Sequence, residues 1–580
     1  MQDVRARPSV RAQFRRIFQD PILTVALIGS VIFVGLTIIL PLLSMVGASV
    51  STEGAEKLTN YIGSPVYQTI ISNTLVMGVV VGAVGTLVGF LFAFVQVKLD
   101  VPFKRFMHIM ALLPVISPPF AVATATIVLF GRSGMISRGV FGVRYDIYGL
   151  DGLTLALSLS LFTVAYLNLK GMMEALDPAL DEASANLGAG KFRTFFRVTL
   201  PMLIPGIASS FLLIFVESIA DLGNPLVLGG NYEVLATRIY VSVIGLYDTT
   251  AAAVLSVILL VPSLTVFMVQ RYWVSRANVV SVTGKPSGRP DTIKFPPVRW
   301  GLFGVVMFLC LLILLIYGTI FHGAFVQVPG VRNEFTLSHF DFVINGIGAE
   351  AMQDTTLLSI VATPLAGLIG MVVAFLVVRK EFLGRQALDF GVMLGIAVPG
   401  TIIGIGYVLS FNSPITATLP ILGEITLLPK LTGGQGLLGG ALAIVIVYVI
   451  RSTPAALRTG TAALSQIDPA IEEASISLGA DNARTFRRIT LPLIRPAFLA
   501  GLIFAFARSM TTISAVVFLT TPQTKIMTQQ ILNEVENGRY GNAFAYCVIL
   551  IGIVMLAIGI MYVLVGSRTG AERRIEGGGR

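Results

Sequence analysis

Long, unbroken apolar runs recur along the chain, separated by short polar stretches, and they do not alternate residue by residue as barrel strands do. Crossing a bilayer takes roughly 20 mostly apolar residues as a helix. Twelve runs meet that length: 22–47, 70–97, 106–130, 152–169, 202–226 and 251–270, then 300–321, 355–378, 388–411, 436–457, 493–520 and 544–566. Backbone groups in hydrocarbon must be satisfied within the segment, so runs of this kind are helices. The pattern predicts an all-α polytopic membrane protein of about 12 spans, six in each half.

The polar stretches change the picture more than the apolar ones, because two of them match. Asp177-Pro178, Glu182-Ala183-Ser184, Gly188-Ala189, Arg193-Thr194-Phe195, Arg197, Thr199-Leu200-Pro201 and Pro205 return 291 residues later as Asp468-Pro469, Glu473-Ala474-Ser475, Gly479-Ala480, Arg484-Thr485-Phe486, Arg488, Thr490-Leu491-Pro492 and Pro496. A second set, Gly89, Ala93, Phe94, Lys98 and Pro118, returns 281 residues later as Gly370, Ala374, Phe375, Arg379 and Pro399. The ten extra residues of the second half then fall between Pro399 and Asp468, around 412–435. Residues 1–276 and 299–580 read as two similar halves, and 277–298, rich in Gly, Pro and Ser, as the linker between them. With six spans each, the halves share one orientation and are parallel repeats about an axis along the membrane normal.

Within each repeated stretch (177–205 and 468–496) the chemistry is that of a helix–turn–helix. Asp accepts a bond from free backbone N–H groups and Pro suits the first helical turn. A short helix follows through Glu182 or Glu473, Gly188 or Gly479 ends it, and a second short helix with Phe195 or Phe486 leads to the next span. Such a unit offers a rigid knob to a partner; the bland alternative is an amphipathic loop that only covers the bundle.

Composition and charge fit this reading. The chain is 55% hydrophobic and 12% charged, with a mean hydropathy of +0.84, which excludes an ordinary soluble domain. Basic residues mark the cytoplasmic side. Arg5, Arg7, Arg11, Arg15 and Arg16 place the amino end there as an uncleaved anchor. Twelve crossings put Lys98, Lys104, Arg105, Arg379, Lys380, Arg385, the linker cations, both repeated loops and the basic tail on that same side. Both termini are then cytoplasmic, and the net charge of +10 leaves little for nucleic acid to explain. Cys310 and Cys547 fall within spans, so neither a disulfide nor a Cys-based metal site is expected.

At the repeated loops the chain resembles the membrane permeases of ATP-binding cassette importers, with Ser184 and Ser475 standing where their Glu-Ala-Ala triplet ends in Ala. The resemblance covers essentially the whole chain. It implies a fused two-half permease of the type I importer fold in the bacterial inner membrane, moving solute inward by alternating access. Glu182, Ala183, Gly188, Glu473, Ala474 and Gly479 would form the coupling helices that dock on two copies of a cytoplasmic ATPase. A periplasmic or lipid-anchored binding protein would deliver the solute. ATP and Mg would be bound by the ATPase subunits, leaving this chain without a cofactor or enzymatic activity. Leu431-Thr432-Gly433-Gly434-Gln435 and Gly188-Ala189-Gly190-Lys191 superficially resemble nucleotide-binding motifs, but the first falls in an outer loop and the second lacks the first Gly and the Ser/Thr of a phosphate loop. Glu217 to Pro225, Val227 to Gly230, Arg508 to Val516 and Asn537 to Gly541 further resemble ferric iron permeases; phosphonate, sulfate and polyamine permeases are neighbours, and an ion-gradient-driven transporter is the rival of another class.

Ionisable groups at membrane depth mark function. Glu217 lies about 24 Å beyond Pro201 at ~1.5 Å per residue, just past mid-bilayer, with Asp221 expected one turn on along the same face. Their equivalents in the second half are Arg508 and Thr512. Glu217 and Arg508 either pair across the axis as a gate or tie, or Glu217 and Asp221 offer hard oxygen ligands to a passing cation such as Fe³⁺; ordinary interhelical hydrogen bonding is the third reading. Ser218, Asn224, Ser509 and Thr512 join them as path candidates. His108, His322 and His339 are scattered and read as structural or solvated.

Overall fold

The computed structural model describes residues 21–272, 293, 295–346, 348–419 and 423–577, and these are helical almost throughout. The amino-terminal arginines and most of the expected linker lie outside the described residues. Among the described residues, ten helices are long and apolar enough to cross a membrane. They are Leu23–Ser49 (span 1), Pro65–Lys98 (span 2), Leu150–Ala175 (span 4), Lys191–Ile219 (span 5) and Thr249–Tyr272 (span 6), then Pro296–Ala324 (span 7), Ala349–Arg379 (span 8), Leu437–Gln466 (span 10), Phe486–Thr511 (span 11) and Tyr540–Val563 (span 12).

The runs expected at 106–130 and 388–411 are not straight. Span 3 is Lys104–Ile116 followed by Phe120–Phe130 at 109°, and span 9 is Arg385–Ala397 followed by Gly400–Phe411 at 105°. Pro118 and Pro399 explain the bends: proline has no N–H for the carbonyl four residues back, and its ring clashes there. Each bent pair still crosses once. Lys98, at the end of span 2, bonds Asp181 just beyond the end of span 4 at 2.8 Å. Arg379, at the end of span 8, reaches Glu472 beyond span 10 at 3.2 Å. Parallel neighbours joined in this way require the chain between them to return across the membrane, which makes twelve crossings.

Spans 5 and 11 begin earlier and end sooner than the sequence predicts. The short helix expected before the Leu-Pro pair is continuous with the span, through π-helical turns at Phe195–Thr199 and Phe486–Thr490. The extra residue in each turn relieves the helix just before Pro201 or Pro492, whose missing N–H breaks the regular ladder. The helices stop at Ile219 and Thr511. Beyond Ile219 the Asp221 carboxylate accepts the Asn224 N–H at 2.8 Å and starts a new short helix, Gly223–Leu228.

Within each half the repeated glycines set the packing. A Cβ on Gly89 would lie 2.5 Å from the Ala165 Cβ of span 4, and one on Gly370 would lie 2.5 Å from the Ala456 Cβ of span 10. Only glycine allows spans 2 and 4, or 8 and 10, to approach so closely. Between halves the first span of each is exchanged. Span 1 lies on span 9, where Tyr407 Oη donates to the Thr37 carbonyl at 3.0 Å. Span 7 lies on span 3, where Tyr317 and Ser117 share a 2.6 Å hydroxyl bond. Consequently one buried cluster joins spans 2, 3 and 4 to spans 7 and 12, and the other joins spans 1 and 6 to spans 8, 9 and 10. The repeats are interleaved.

The face opposite the repeated loops carries what the sequence left as loop. An amphipathic helix, Thr52–Gly63, is tied to the rest by the Lys57–Asp248 ion pair. Although partial burial opposes it, bonds from the Ala251 N–H and Lys57 hold the Asp248 carboxyl below the usual carboxylate range. Two hairpins, Val326–Val328 with Arg332–Phe335 (β1, β2) and Ile415–Leu419 with Gly423–Leu428 (β3, β4), also lie here. The second occupies the region of the ten additional residues.

Candidate coupling loops and central ion pair

The two loops are built alike to the level of single bonds. Asp177 Oδ1 accepts the Ala179 N–H at 3.0 Å and Asp468 Oδ1 accepts the Ala470 N–H at 2.9 Å, opening the helices Pro178–Asn186 and Pro469–Ser477. Gly188 and Gly479 follow with φ of +78° and +87°, a left-handed turn that costs glycine nothing. Ser184 and Thr194 share a hydroxyl bond of 2.7 Å, and Ser475 and Thr485 one of 2.9 Å, each closing the first helix onto the second. This gives the serine at the end of the triplet a job that alanine cannot do. Phe94 against Phe195 and Phe375 against Phe486 make edge-on contacts at 5.3 and 5.1 Å, seating each loop on its span.

The ions that fix the loops to the spans are Asp181 and Glu472, one residue before the repeated glutamates. Glu182, Ala183, Gly188 and their counterparts Glu473, Ala474 and Gly479 are all exposed. Leu187 and Leu478, at equivalent positions, are each 89% accessible. An apolar side chain is thus turned outward, away from the bundle, at both copies of the motif.

The first loop has one contact the second lacks among the described residues. Ile293, from the stretch joining the halves, donates its N–H to the Lys98 carbonyl at 2.9 Å and pairs with Leu99. It lines a crevice with Phe94, Asp181, Lys191 and Phe195.

At the centre, Arg508 Nη2 donates to both Glu217 carboxylate oxygens, at 3.0 and 3.2 Å. Each residue sits in the last turn of its span. A helix C-terminus favours a cation and disfavours an acid, so Arg508 is well placed and compensates Glu217. Each side chain keeps 26% of its surface accessible.

Asp221 does not lie on the same helix face as Glu217, because span 5 ends between them; both Asn224 nitrogens donate to it, the side-chain amide at 3.1 Å. Ser218 and Ser509 donate to carbonyls of their own helices, Phe215 and Ala505. Thr512 donates to the Arg508 carbonyl at 2.6 Å, tightening the turn that carries the arginine. Among the described residues no group of three or more His, Cys, Asp or Glu side chains is arranged to hold a metal ion. Cys310 and Cys547 are both buried thiols. His339 bonds Asn542 at 2.7 Å and the Val326 carbonyl at 3.0 Å, and His108 bonds Tyr166 at 2.6 Å.

One functional candidate escaped the sequence reading. Arg451, midway along span 10, is 5% exposed and donates to the Gly395 and Val398 carbonyls at 3.1 and 3.0 Å. A charge within an apolar run was the available signal.

Twelve crossings in two interleaved repeats, with paired loops on one face and an ion pair between equivalent helices, define a two-half membrane permease. A family model described as binding-protein-dependent transport system inner membrane component matches the chain twice, over residues 85–279 and 366–570. The chain belongs to that family. The ferric transport system permease protein FbpB of Actinobacillus pleuropneumoniae is 35% identical over 518 residues, covering 87% of this chain and 72% of that protein. The Fe(3+)-transport system permease protein FbpB 2 of Haemophilus influenzae is 25% identical over 535 residues, covering 90% and 94%. The molybdenum transport system permease protein ModB of Escherichia coli is 30% identical over 146 residues, covering 25% of this chain and 63% of ModB.

Proposed function

We propose that this chain is the inner-membrane permease of an ATP-driven importer whose cargo is ferric iron. The observation that carries the ATP-driven part is the duplicated loop. Both copies expose a glutamate and a leucine on one face, while their neighbouring acids anchor them to the spans. An ion-gradient-driven transporter would leave that pair of surfaces without a partner. In this reading each loop docks one cytoplasmic ATPase subunit, which binds ATP and Mg, and hydrolysis is confined to those subunits. The basic ends and linker orient the loops toward the cytoplasm, and the opposite face, with its hairpins, receives a binding protein.

The cargo is carried over from the ferric permeases, which span most of the chain, whereas the similarity to the molybdenum permease covers a quarter of it. Glu217 and Arg508 serve as the gate. While both Glu217 oxygens are held by Arg508 they are not offered to a cation; once the halves separate, Glu217 and Asp221 become hard oxygen donors along the path.

Native mass spectrometry of the permease purified with its ATPase tests the assembly. One permease with two ATPase subunits is expected, and a permease homodimer or a single ATPase would overturn it. Uptake of radioactive Fe³⁺ from the loaded binding protein into proteoliposomes, against molybdate and sulfate as competitors, tests the cargo.

A further inference from the structure

The charge on Arg451 is not explained by what its side chain bonds. The carbonyl of Gly395 would take the N–H of residue 399 in a continuous helix, but residue 399 is proline. The carbonyl of Val398 would take the N–H of Ile402, which bonds Pro399 instead. Arg451 Nη1 supplies both missing donors and so closes the end of the first half of span 9.

The first half solves the same problem without charge. There Pro118 leaves the Pro114 carbonyl without its helical donor, and Ser117 Oγ takes it at 3.4 Å while bonding Tyr317. The residue equivalent to Arg451, 291 positions earlier, is Ser160, which donates to Ala156 within its own helix. A cation in mid-membrane is costly, and a neutral donor suffices for the bend, so the charge answers to something else.

Span 10, which carries Arg451, packs on span 11, whose Arg508 holds Glu217. The two helices meet at the level of these arginines, since the residues that follow them, Ser452 and Ser509, share a hydroxyl bond of 3.3 Å. Arg451 Nε is buried and has no hydrogen-bond partner, so closing the bend leaves part of the guanidinium uncommitted. Two cations, one on span 10 and one on span 11, therefore stand by the single acid that span 5 contributes to the pair.

We propose that Arg451 is a positioning residue that links the bend of span 9 to the Glu217–Arg508 gate. It repels Arg508 and attracts Glu217, so its charge sets how readily the pair opens. Because the same guanidinium holds the Gly395 and Val398 carbonyls, any movement of Glu217 is felt at the bend. This rests on the reading of the pair as the gate of an ATP-driven permease.

Arg451→Gln keeps amide donors for the carbonyls and removes the charge; Arg451→Lys keeps the charge on a single donor head. Iron uptake and ATPase activity, with and without binding protein, are measured in proteoliposomes containing the complete complex, alongside Glu217→Gln and the double variant Glu217→Gln/Arg451→Gln. Thermal unfolding of each variant in detergent shows whether the fold is intact. Arg451→Gln is expected to unfold as the parent does yet lose about tenfold in uptake, with ATPase activity no longer dependent on binding protein, while Arg451→Lys stays within about threefold. The double variant is expected to be no worse than Glu217→Gln alone, because the charge acts through that acid. Parent-like uptake in Arg451→Gln, or losses that simply multiply in the double variant, would overturn the proposal. Should Arg451→Gln not fold, Arg451→Lys decides: a tenfold loss there, in a stable protein, also overturns it. Parent-like uptake in Glu217→Gln would instead sink the gate reading itself.

Discussion

The two loops and the two positions of the central ion pair obey opposite rules. The loops of the first and second halves share their caps, their left-handed glycines, their Ser–Thr hydroxyl bonds and their phenylalanine seats, with corresponding distances agreeing within 0.2 Å. Where the halves meet at the centre they diverge: Glu217 answers to Arg508, and Ser160 to Arg451. If each loop docks a copy of the same ATPase, as proposed, one partner surface constrains both loops to one shape. At the centre the halves face each other, and the constraint is complementarity.

Breaking the loop symmetry should have the largest effect. Proline cannot adopt the φ of +78° or +87° found at Gly188 and Gly479. Gly188→Pro combined with Gly479→Pro is expected to abolish uptake while the spans still insert, read as loss of ATPase from the purified complex. Each single change measures one loop, and because Ile293 braces only the first among the described residues, unequal losses are expected.

The central ion pair comes next. Removing one partner of a buried pair costs about 3–5 kcal/mol, and the accessibility of 26% on each side chain places this pair at or below the lower end. Glu217→Gln and Arg508→Gln are each expected to destabilise the protein by about 2–3 kcal/mol, and the double neutralisation to recover part of it, measured by thermal unfolding in detergent. If Glu217 serves only as a ligand, Arg508→Gln rescues nothing, and uptake falls without loss of stability.

The smallest effect sharpens the comparison from the loop side. Ser184→Ala and Ser475→Ala each remove one hydroxyl bond, worth about 1 kcal/mol. A modest drop in ATPase affinity is expected from each, read by titrating the ATPase onto the reconstituted permease. A loss confined to one site would mean that the loops are not equivalent in use.

Much of this arrangement was legible in the residues. The offset of 291 aligned Glu217 with Arg508 before any geometry was known, and the geometry places them 3.0 Å apart. The matched Pro118 and Pro399 were visible, but a proline in an apolar run does not say whether a helix kinks or turns through more than 100°; that depends on donors such as Arg451 and Ser117, distant in sequence. Asp221 was misplaced for a related reason. Spacing assumes a continuing helix, and the Asn224 amide that ends it is a local bond competing with the ladder. The exchange of spans 1 and 7 left no trace in periodicity, because an apolar helix carries no address for its neighbour.

The covalent joining of the halves has a consequence for the central ion pair. A permease made from two copies of a single shorter chain would bring residue 217 against its own symmetry mate, acid against acid, and no substitution could make the two differ. Repeats that differ in sequence, here carried on one chain, can place opposite charges at corresponding points of a two-fold arrangement. The link through Ile293 is thus more than a tether: a dyad that identical subunits must respect has become one this protein is free to break.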